Sequence, residues 1–176
     1  MTTIYFVRHG ESTANLDGIC AGHTDVDLTD QGREQAVNAG IELQDSGIGP
    51  KINKIVASPL KRSYETACLI ANQIGYPVED IIVTDLAIER YRGRYEGQPS
   101  SVQDDATEED YAQMGAESTI AMIERAARLQ DFVDDLNVNI VLIVSHNQFG
   151  RIFVPTIRGD LLGALGKLPN ARVFKI

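Results

Sequence analysis

The chain has 176 residues, of which 43% are hydrophobic and 23% charged, and its formal net charge at pH 7 is −9. This length suits one domain that buries roughly 70% of the surface of its unfolded chain. The acidic balance argues against a nucleic acid or an anionic membrane as partner, because both bind through basic stripes. No apolar stretch reaches transmembrane length, and the first residues contain neither a charged n-region nor a cleavage site, so we expect a cytoplasmic protein.

The first apolar run, residues 4–7, stops at Arg8-His9-Gly10-Glu11, which indicates a buried strand with an Arg and a His at its carboxyl end. Two later apolar runs end in a similar way. Residues 55–57 precede Ser58-Pro59-Leu60-Lys61-Arg62, and residues 140–144 precede Ser145-His146. Three predicted strand ends therefore offer two His and two Arg.

Helices are predicted between these strands. Thr29 is the expected N-cap of a first helix that buries Ala36, Val37 and Ile41. After a second strand over residues 54–57, Ser58 is the expected N-cap of the next helix, with Pro59 at its first position. That helix is predicted to end at residues 75–77 and to bury one stripe of side chains, namely Leu60, Tyr64, Ala67, Cys68, Ala71 and Ile74.

The second half of the chain continues the alternation. A third strand is predicted over residues 81–83, a fourth over 140–144 and a short edge strand over 171–176. A helix over residues 118–136 is expected to bury Ile120, Ile123, Ala127 and Val133. Residues 98–115 are poor in large aliphatic side chains and carry five acids within residues 104–110, which indicates a small mobile cap or a surface loop, with a solvated charged face as the simplest interpretation.

Alternating strands and helices predict an α/β fold of three layers, α/β/α, with a mainly parallel doubly wound sheet. We expect a single domain over residues 1–176, with a short cap segment inserted at about residues 98–115. In such sheets the binding crevice lies outside the carboxyl ends of the strands. Arg8, His9, Arg62 and His146 are therefore expected to lie together at one crevice.

Two His and two Arg around one point suit phosphoryl transfer, which depends on positioning and on cationic stabilisation of phosphate oxygens. An imidazole attacks phosphorus directly and divides one displacement into two easier ones through a phosphohistidine. The attacking imidazole must be neutral, which nearby Arg charges favour. A second His can remain protonated once a phosphate anion lies beside it.

A leaving alkoxide also needs a proton, and Glu89 is the best-placed carboxylic acid, six residues beyond Val83. The alternative for Glu89 is an ion pair with Arg90 or Arg92 on the same loop. Arg92 and Arg94 are candidates to bind a second anionic group, with a solvated loop as the simpler interpretation.

These residues resemble the histidine phosphatase superfamily, which includes cofactor-dependent phosphoglycerate mutases and many small phosphomonoesterases. The resemblance covers nearly the whole chain, and its motifs occur in the family's order at successive strand ends. They are Arg8-His9-Gly10-Glu11 with Asn15; Gly22 to Asp25 with Leu28, Thr29 and Gly32; Ser58-Pro59-Leu60 with Arg62, Thr66 and Ala67; Glu89 with Gly93, Glu96 and Gly97; and Ser145-His146.

The resemblance implies that His9 is the phosphorylated nucleophile and that Arg8, Arg62 and His146 hold the phosphoryl oxygens. It further implies that Glu89 donates a proton and then serves as the base for water, and that neither a metal nor a cofactor is needed. Asn15, and Ala21 and Gly22 of the substrate loop, are the further candidates for substrate contact. His23 is as compatible with the rim of the site as with substrate contact.

One position departs from the family pattern. Members more often have Gly after the second His, where this chain has Asn147. Asn147 either adds a hydrogen-bond donor at the pocket wall or only alters a turn.

Three functions follow from this set. The first is a metal-independent phosphatase that hydrolyses phosphate monoesters through a phosphohistidine, the second is a cofactor-dependent phosphoglycerate mutase, and the third is a non-catalytic phosphate-binding protein. The mutases of the family usually have a longer segment after their acidic motif, which favours hydrolysis here. The expected partner is a small phosphorylated metabolite, and a homodimer is left open.

Overall fold

The computed structural model describes residues 2–159 and 166–176. The strands of these ranges are β1 (Thr3–Arg8), β2 (Lys54–Ala57), β3 (Ile82–Val83), β4 (Ile140–Ser145) and β5 (Val173–Lys175). The α-helices are α1 (Thr13–Leu16), α2 (Asp30–Asp45), α3 (Lys61–Ile74), α4 (Glu108–Gln113), α5 (Thr119–Asp135) and α6 (Asn147–Arg158). Single turns of 3₁₀ helix lie at Gly49–Lys51, Val78–Asp80, Asp85–Ala87, Gly93–Tyr95 and Ser100–Gln103.

The strands form one sheet in the order β3-β2-β4-β1-β5. All neighbouring pairs are parallel except β1 and β5, so the predicted edge strand is the antiparallel one. The prediction of a mainly parallel α/β sheet is confirmed.

Side chains of β4 alternate between two apolar cores, one on each face of the sheet. Val141 and Ile143 pack with Met122 and Leu129 of α5 and with Phe149 of α6. On the other face, Leu142 and Val144 pack with α2 and α3. Helices therefore cover both faces, as the three-layer architecture requires.

Parallel pairing brings the strand ends to one edge of the sheet. Arg8 pairs in register with Ser145, and the N–H of His9 donates to the carbonyl of Ser145 at 2.9 Å. The N–H of Ser58 donates to the carbonyl of Val144 at 3.1 Å. The residues that follow β1, β2 and β4 consequently lie beside one another.

Helix α2 has the predicted N-cap, because the Thr29 hydroxyl accepts from the N–H of Gly32. Ala36 is buried as predicted, but Val37 is half-buried and Ile41 is 42% exposed. The buried face instead includes Gly40, where a Cβ atom would lie 2.6 Å from Cβ of Gln73. This close approach to α3 turns the face that contains Gly40 inward and leaves Ile41 outside.

Helix α3 begins at Lys61 with Leu60 as its N-cap, so the predicted cap at Ser58 and helical position at Pro59 are wrong. The Ser58 hydroxyl contacts the site instead, as described below. The predicted stripe is also displaced, since Tyr64 is 37% exposed and Cys68 is half-buried. The buried side chains of the helix are Arg62, Ser63, Thr66, Ala67, Ile70, Ala71 and Ile74.

Helix α5 begins after Ser118 as predicted, but it is rotated relative to the predicted face. Ile120 is 71% exposed, Ala127 is exposed and Ile123 is half-buried. The side chains that pack against the sheet also have helical spacing, but they lie on a different face from the predicted one. They are Met122, Ala126, Leu129 and Val133.

Residues 98–115, predicted as a small mobile cap or a surface loop, contain a 3₁₀ turn and the short helix α4. A capping box between Thr107 and Asp110 starts α4, and Tyr111 packs against Tyr95 and Cys20. Glu108 pairs with Arg90. Two acids that were predicted to lie on a solvated face, Asp110 and Glu108, therefore form bonds within the structure.

Helix α6 follows His146 directly and was not predicted. Phe149, Ile152 and Phe153 have helical spacing, while Pro155 inside the helix is a residue that usually ends one. None of the helices in the described ranges has the length and apolar character needed to cross a bilayer.

Candidate active site

A cavity of about 540 Å³ opens at the carboxyl edge of the sheet. Most of the predicted site residues line it, namely Arg8, His9, Asn15, Ala21, Gly22, Arg62, Glu89 and Asn147. His146 is fully buried and does not line the cavity, and His23 lies outside the lining although Ala21 and Gly22 of the same loop belong to it.

His9 follows β1, and its side chain is almost completely buried. Its Nδ1 lies 2.6 Å from the carbonyl oxygen of Gly10, so Nδ1 carries the proton and Nε2 is unprotonated. The Arg62 Nε donates to that Nε2 at 3.3 Å. Burial, and then the charges of Arg62 and Arg8, hold the pKa of His9 well below 6.5. His9 is therefore a neutral imidazole whose Nε2 is unprotonated.

Two buried guanidinium groups flank His9. Arg62, in the first turn of α3, donates from Nη2 to the carbonyl of Gly22 at 2.8 Å and from Nη1 to that of Thr24 at 3.1 Å. Arg8 donates from Nη1 to the carbonyl of Leu168 at 2.7 Å, and its Nε is buried without a hydrogen-bond partner among the described residues. Burial lowers the pKa of both groups, and the Glu89 carboxylate opposes that effect. The cavity wall therefore presents two oriented cations, as an anion site requires.

His146 follows β4 and is fully buried, with its ring centroid 5.2 Å from that of His9. Its Nε2 forms a 2.8 Å hydrogen bond with the Ser58 hydroxyl, while Nδ1 is buried without a partner among the described residues. Burial, followed by the charge of Arg62, lowers the pKa of His146 well below 6.5. The imidazole of His146 is thus neutral in this structure. The prediction of a protonated second His applies to the site with a phosphate anion bound beside it.

Glu89 lies at the amino end of α6. Its Oε1 accepts from the N–H groups of Arg90 and Phe149 at 2.8 and 2.9 Å, and its Oε2 accepts from that of Gln148 at 3.2 Å. No ion pair joins it to Arg90 or Arg92 in the described ranges. The carboxylate is therefore oriented by backbone donors and by the helix terminus, and it faces the cavity.

Asn15 and Asn147 both have structural bonds at the cavity wall. The Asn15 side chain accepts from the N–H of Ser12 in a capping box, and it also accepts from Nδ2 of Asn170. The Asn147 side chain accepts from the N–H of Leu168 at 2.8 Å. Because the Leu168 carbonyl accepts from Arg8, Asn147 helps to fix the position of that guanidinium.

Residues 21–25 form a loop that Glu96 anchors. The Glu96 carboxylate accepts from the N–H groups of His23 and Thr24. Gly22 has a φ of +54°, and a Cβ atom there would lie 2.2 Å from Oε1 of Glu96, so another residue would be strained and would displace the Glu96 carboxylate. His23 bonds through Nε2 to the carbonyl of Glu89 at 2.7 Å, which makes it a link between two loops rather than part of the cavity lining.

Arg125 on α5 was not predicted as a residue of the site. Its guanidinium donates to the backbone carbonyls of Leu86, Ile88 and Glu89 and pairs with Glu117 at 2.8 Å. A basic residue on the buried face of a predicted amphipathic helix is the signal that could have revealed it. In the described part of the chain, no group of three or more His, Cys, Asp or Glu side chains is arranged to hold a metal ion.

Comparison with known proteins defines the family. The profile of the histidine phosphatase superfamily (branch 1) matches residues 4–175. A 2,3-bisphosphoglycerate-dependent phosphoglycerate mutase of Hydrogenobaculum sp. is 35% identical over 97 residues, which are 55% of this chain and 38% of the mutase. Phosphoglycerate mutase-like protein 4 of Arabidopsis thaliana is 39% identical over 94 residues, which are 53% of this chain and 39% of that protein. The matched segments span less than half the length of these curated relatives.

Two solved structures have the same fold. A mycobacterial glucosyl-3-phosphoglycerate phosphatase superposes with a TM-score of 0.79 at 23% identity, covering 99% of this chain and 92% of its own. The phosphoserine phosphatase of Entamoeba histolytica superposes with a TM-score of 0.79 at 22% identity, covering 99% and 90%.

The fold and the cluster at its strand ends define an α/β protein with a cavity lined by His9, Arg8 and Arg62. The chain belongs to the histidine phosphatase superfamily, branch 1.

Proposed function

We propose that this protein is a phosphatase that hydrolyses small phosphate monoesters through a phosphohistidine at His9, without a metal ion. The observation that carries the proposal is the state of His9, a neutral imidazole with an unprotonated Nε2 that is flanked by Arg8 and Arg62 at a cavity wall.

In the first step, Nε2 of His9 attacks phosphorus, and the bond between phosphorus and the ester oxygen breaks. Arg8 and Arg62 stabilise the charge on the equatorial phosphoryl oxygens. Glu89 gives its proton to the leaving alkoxide, for which it must be protonated when substrate binds. The product alcohol then leaves.

In the second step, water attacks the phosphohistidine, and Glu89, now a carboxylate, accepts a proton from it. The bond between phosphorus and Nε2 breaks, which releases inorganic phosphate and restores neutral His9. His146 supports the reaction from behind His9, where the phosphoryl anion favours protonation of its imidazole.

The mutase alternative keeps the first step but transfers the phosphoryl group to a second phosphorylated substrate. The curated relatives named as mutases favour it. The segment between Glu89 and α5 favours hydrolysis, because it forms only two 3₁₀ turns and the short helix α4, with no long cap.

Phosphate trapping tests the proposal. Wild type is expected to hydrolyse an aryl phosphate in the presence of a chelator and to retain acid-labile, alkali-stable label from a ³²P ester. His9→Ala should lose both activity and label. His23→Ala is the matched control and should still be labelled, because His23 does not line the cavity. Unchanged labelling of His9→Ala would contradict the assignment of His9 as the nucleophile. If wild type binds phosphate but shows neither label nor turnover, the non-catalytic alternative is favoured.

A second assay separates the two enzymes. A mutase converts 3-phosphoglycerate to 2-phosphoglycerate only when 2,3-bisphosphoglycerate primes it, whereas the proposed phosphatase releases inorganic phosphate without priming. Primed isomerisation that exceeds phosphate release would replace the proposal with the mutase.

A further inference from the structure

Arg92 is a cation of the cavity wall that the proposed reaction does not use. Its side chain is only 6% exposed, and its Nη1 is buried without a hydrogen-bond partner among the described residues. The Tyr111 ring of α4 lies beside it, with the guanidinium carbon 5.5 Å from the ring centroid. Its backbone N–H is bound to Glu96, which fixes the base of the side chain.

The other buried arginines of this region have carboxylate partners. Arg90 pairs with Glu108, and Arg125 pairs with Glu117. Within the described ranges, no carboxylate lies within ion-pair distance of Arg92. A buried charge that lacks a partner is costly, so the cavity is incomplete without an anion at this position.

A second polar atom of the same cavity lacks a partner. The Oε1 of Gln103, on the 3₁₀ turn before α4, is buried and has no hydrogen bond within the described residues. Gln103 and Arg92 come from different segments of the chain, and both line the cavity. Two unsatisfied groups at one cavity indicate a polar subsite built for a ligand.

This subsite is distinct from the phosphoryl site. Arg62 and Arg8 are oriented by carbonyls of the 21–25 loop and of Leu168, and they flank His9. Arg92 lies instead against the cap helix α4. Arg92 therefore lines the same cavity as His9 without sharing the contacts that orient Arg8 and Arg62, so it is available to the alcohol part of a ligand bound there.

We propose that Arg92 forms a second anion subsite, and that the preferred substrates are phosphate monoesters whose alcohol part carries a second anionic group. The Gln103 Oε1 is an acceptor, so it takes no part in binding the anion and can bond only to a hydroxyl or N–H group of the ligand. The proposal rests on the phosphatase function and names its substrate class. A guanidinium binds carboxylate and phosphate oxygens through the same planar fork, so either group satisfies the chemistry.

Three esters built on the same two-carbon alcohol part test the proposal. They are 2-hydroxyethyl phosphate, phosphoglycolate and ethylene glycol bisphosphate, which place a hydroxymethyl group, a carboxylate or a second phosphate at the far end. Wild type is expected to have a kcat/KM about 10- to 100-fold higher for one of the two anionic esters than for the neutral one. A preference for phosphoglycolate identifies the second anion as carboxylate, and a preference for the bisphosphate identifies it as phosphate.

Arg92→Gln should remove this preference while leaving kcat/KM for 2-hydroxyethyl phosphate within about threefold of wild type, which also shows that the variant is folded. Arg92→Lys should retain part of the preference. Arg94→Gln is the matched control, with the same charge change on the same loop at an exposed residue outside the cavity lining. It should keep the wild-type preference.

Equal losses for all three esters in Arg92→Gln, or no anionic preference in wild type, would overturn the subsite. The subsite can also be tested without turnover, by calorimetric titration of wild type and Arg92→Gln with the same esters. If wild type hydrolyses none of them, the proposed function fails. Tighter binding of an anionic ester that Arg92→Gln abolishes would still support the subsite, whereas equal binding would refute it.

Discussion

His9 and His146 are buried neutral imidazoles with pKa values lowered well below 6.5, chiefly by burial. Below about pH 6.5 the unfolded chain binds protons at these positions that the folded chain does not. The free energy of unfolding should therefore fall as the pH falls through 6.5 toward the folded-state pKa values.

We expect each of these histidines to account for a loss of about 1 kcal/mol in the free energy of unfolding between pH 7.5 and 5.5. Urea unfolding at the two pH values measures this loss. His146→Gln, which cannot titrate, should lose less stability over the same interval than wild type does. Identical losses in the two proteins would mean that His146 binds the same number of protons in the folded and the unfolded chain over this interval, which would contradict its lowered pKa.

The proposed role of Glu89 is to give a proton to the leaving group, so the effect of losing its carboxyl group should depend on how much the leaving group needs that proton. In Glu89→Gln, the amide oxygen can still accept from the N–H groups of Arg90 and Phe149, while the amide NH₂ faces the N–H of Gln148. We expect a stability loss of about 1 kcal/mol from that one mismatch.

Turnover of alkyl phosphates by Glu89→Gln should fall by roughly 10²- to 10³-fold, because the alkoxide needs a proton. Turnover of an aryl phosphate should fall much less, since its leaving group is stable as an anion. Steady-state kcat for the two ester types gives the comparison. Losses of the same size would contradict a proton-transfer role for Glu89.

At the scale of elements, α5 positions the segment that carries Glu89. Arg125 reaches from α5 to three carbonyls of residues 86–89, and its guanidinium carbon lies 4.6 Å from the centroid of the Phe149 ring in α6. Glu117 holds the guanidinium by two hydrogen bonds. Arg125 is thus a positioning residue that acts on the site through the backbone of Glu89.

Removing one partner of a buried ion pair typically costs about 3 kcal/mol or more, and we expect this loss in Arg125→Met. We also expect it to lower the ratio of alkyl to aryl phosphate turnover, as Glu89→Gln does. Arg125→Lys should restore part of that ratio, and Arg128→Met, at an exposed position of the same helix, is the control. If Arg125→Met lowers the melting temperature but leaves the ratio of alkyl to aryl phosphate turnover unchanged, Arg125 has only a structural role.

At the scale of the whole molecule, β4 joins the two cores. Leu142 and Ile143 are adjacent and fully buried, yet they belong to opposite faces of the sheet. Because one central strand carries side chains of both cores, we expect the chain to unfold as a single domain.

Leu142→Ala and Ile143→Ala should each lower the free energy of unfolding by roughly 3 kcal/mol. Both should keep one transition that coincides by circular dichroism and by tyrosine fluorescence. Val83→Ala, at a residue of β3 that is 47% exposed, should change stability by less than about 0.5 kcal/mol. Separate transitions for the two probes would show that the faces unfold independently.

Much of the fold could be predicted from sequence, as could the residues of the cavity wall that follow the strand ends, whereas much of the remaining lining, such as Cys20, Gln103 and Tyr111, could not. Strand runs, the cap at Thr29, and the residues after β1, β2 and β4 are local patterns, because backbone hydrogen bonding and strand direction depend on neighbouring residues. Helix faces were less predictable. Ile41 and Ile120 have apolar side chains at helical spacing, but which side of a helix is buried depends on the element that packs against it.

The sequence by itself determined that His9, Arg8, Arg62 and His146 meet at one edge, since the carboxyl ends of parallel strands coincide. Only the tertiary structure decided that His146 is buried against Ser58 outside the cavity lining and that Arg125 holds the segment of Glu89. It also decided that Arg90 has a carboxylate partner, whereas Arg92 has none among the described residues. The physical reason is that burial and ion pairing depend on residues distant in the chain, whose approach no local pattern records.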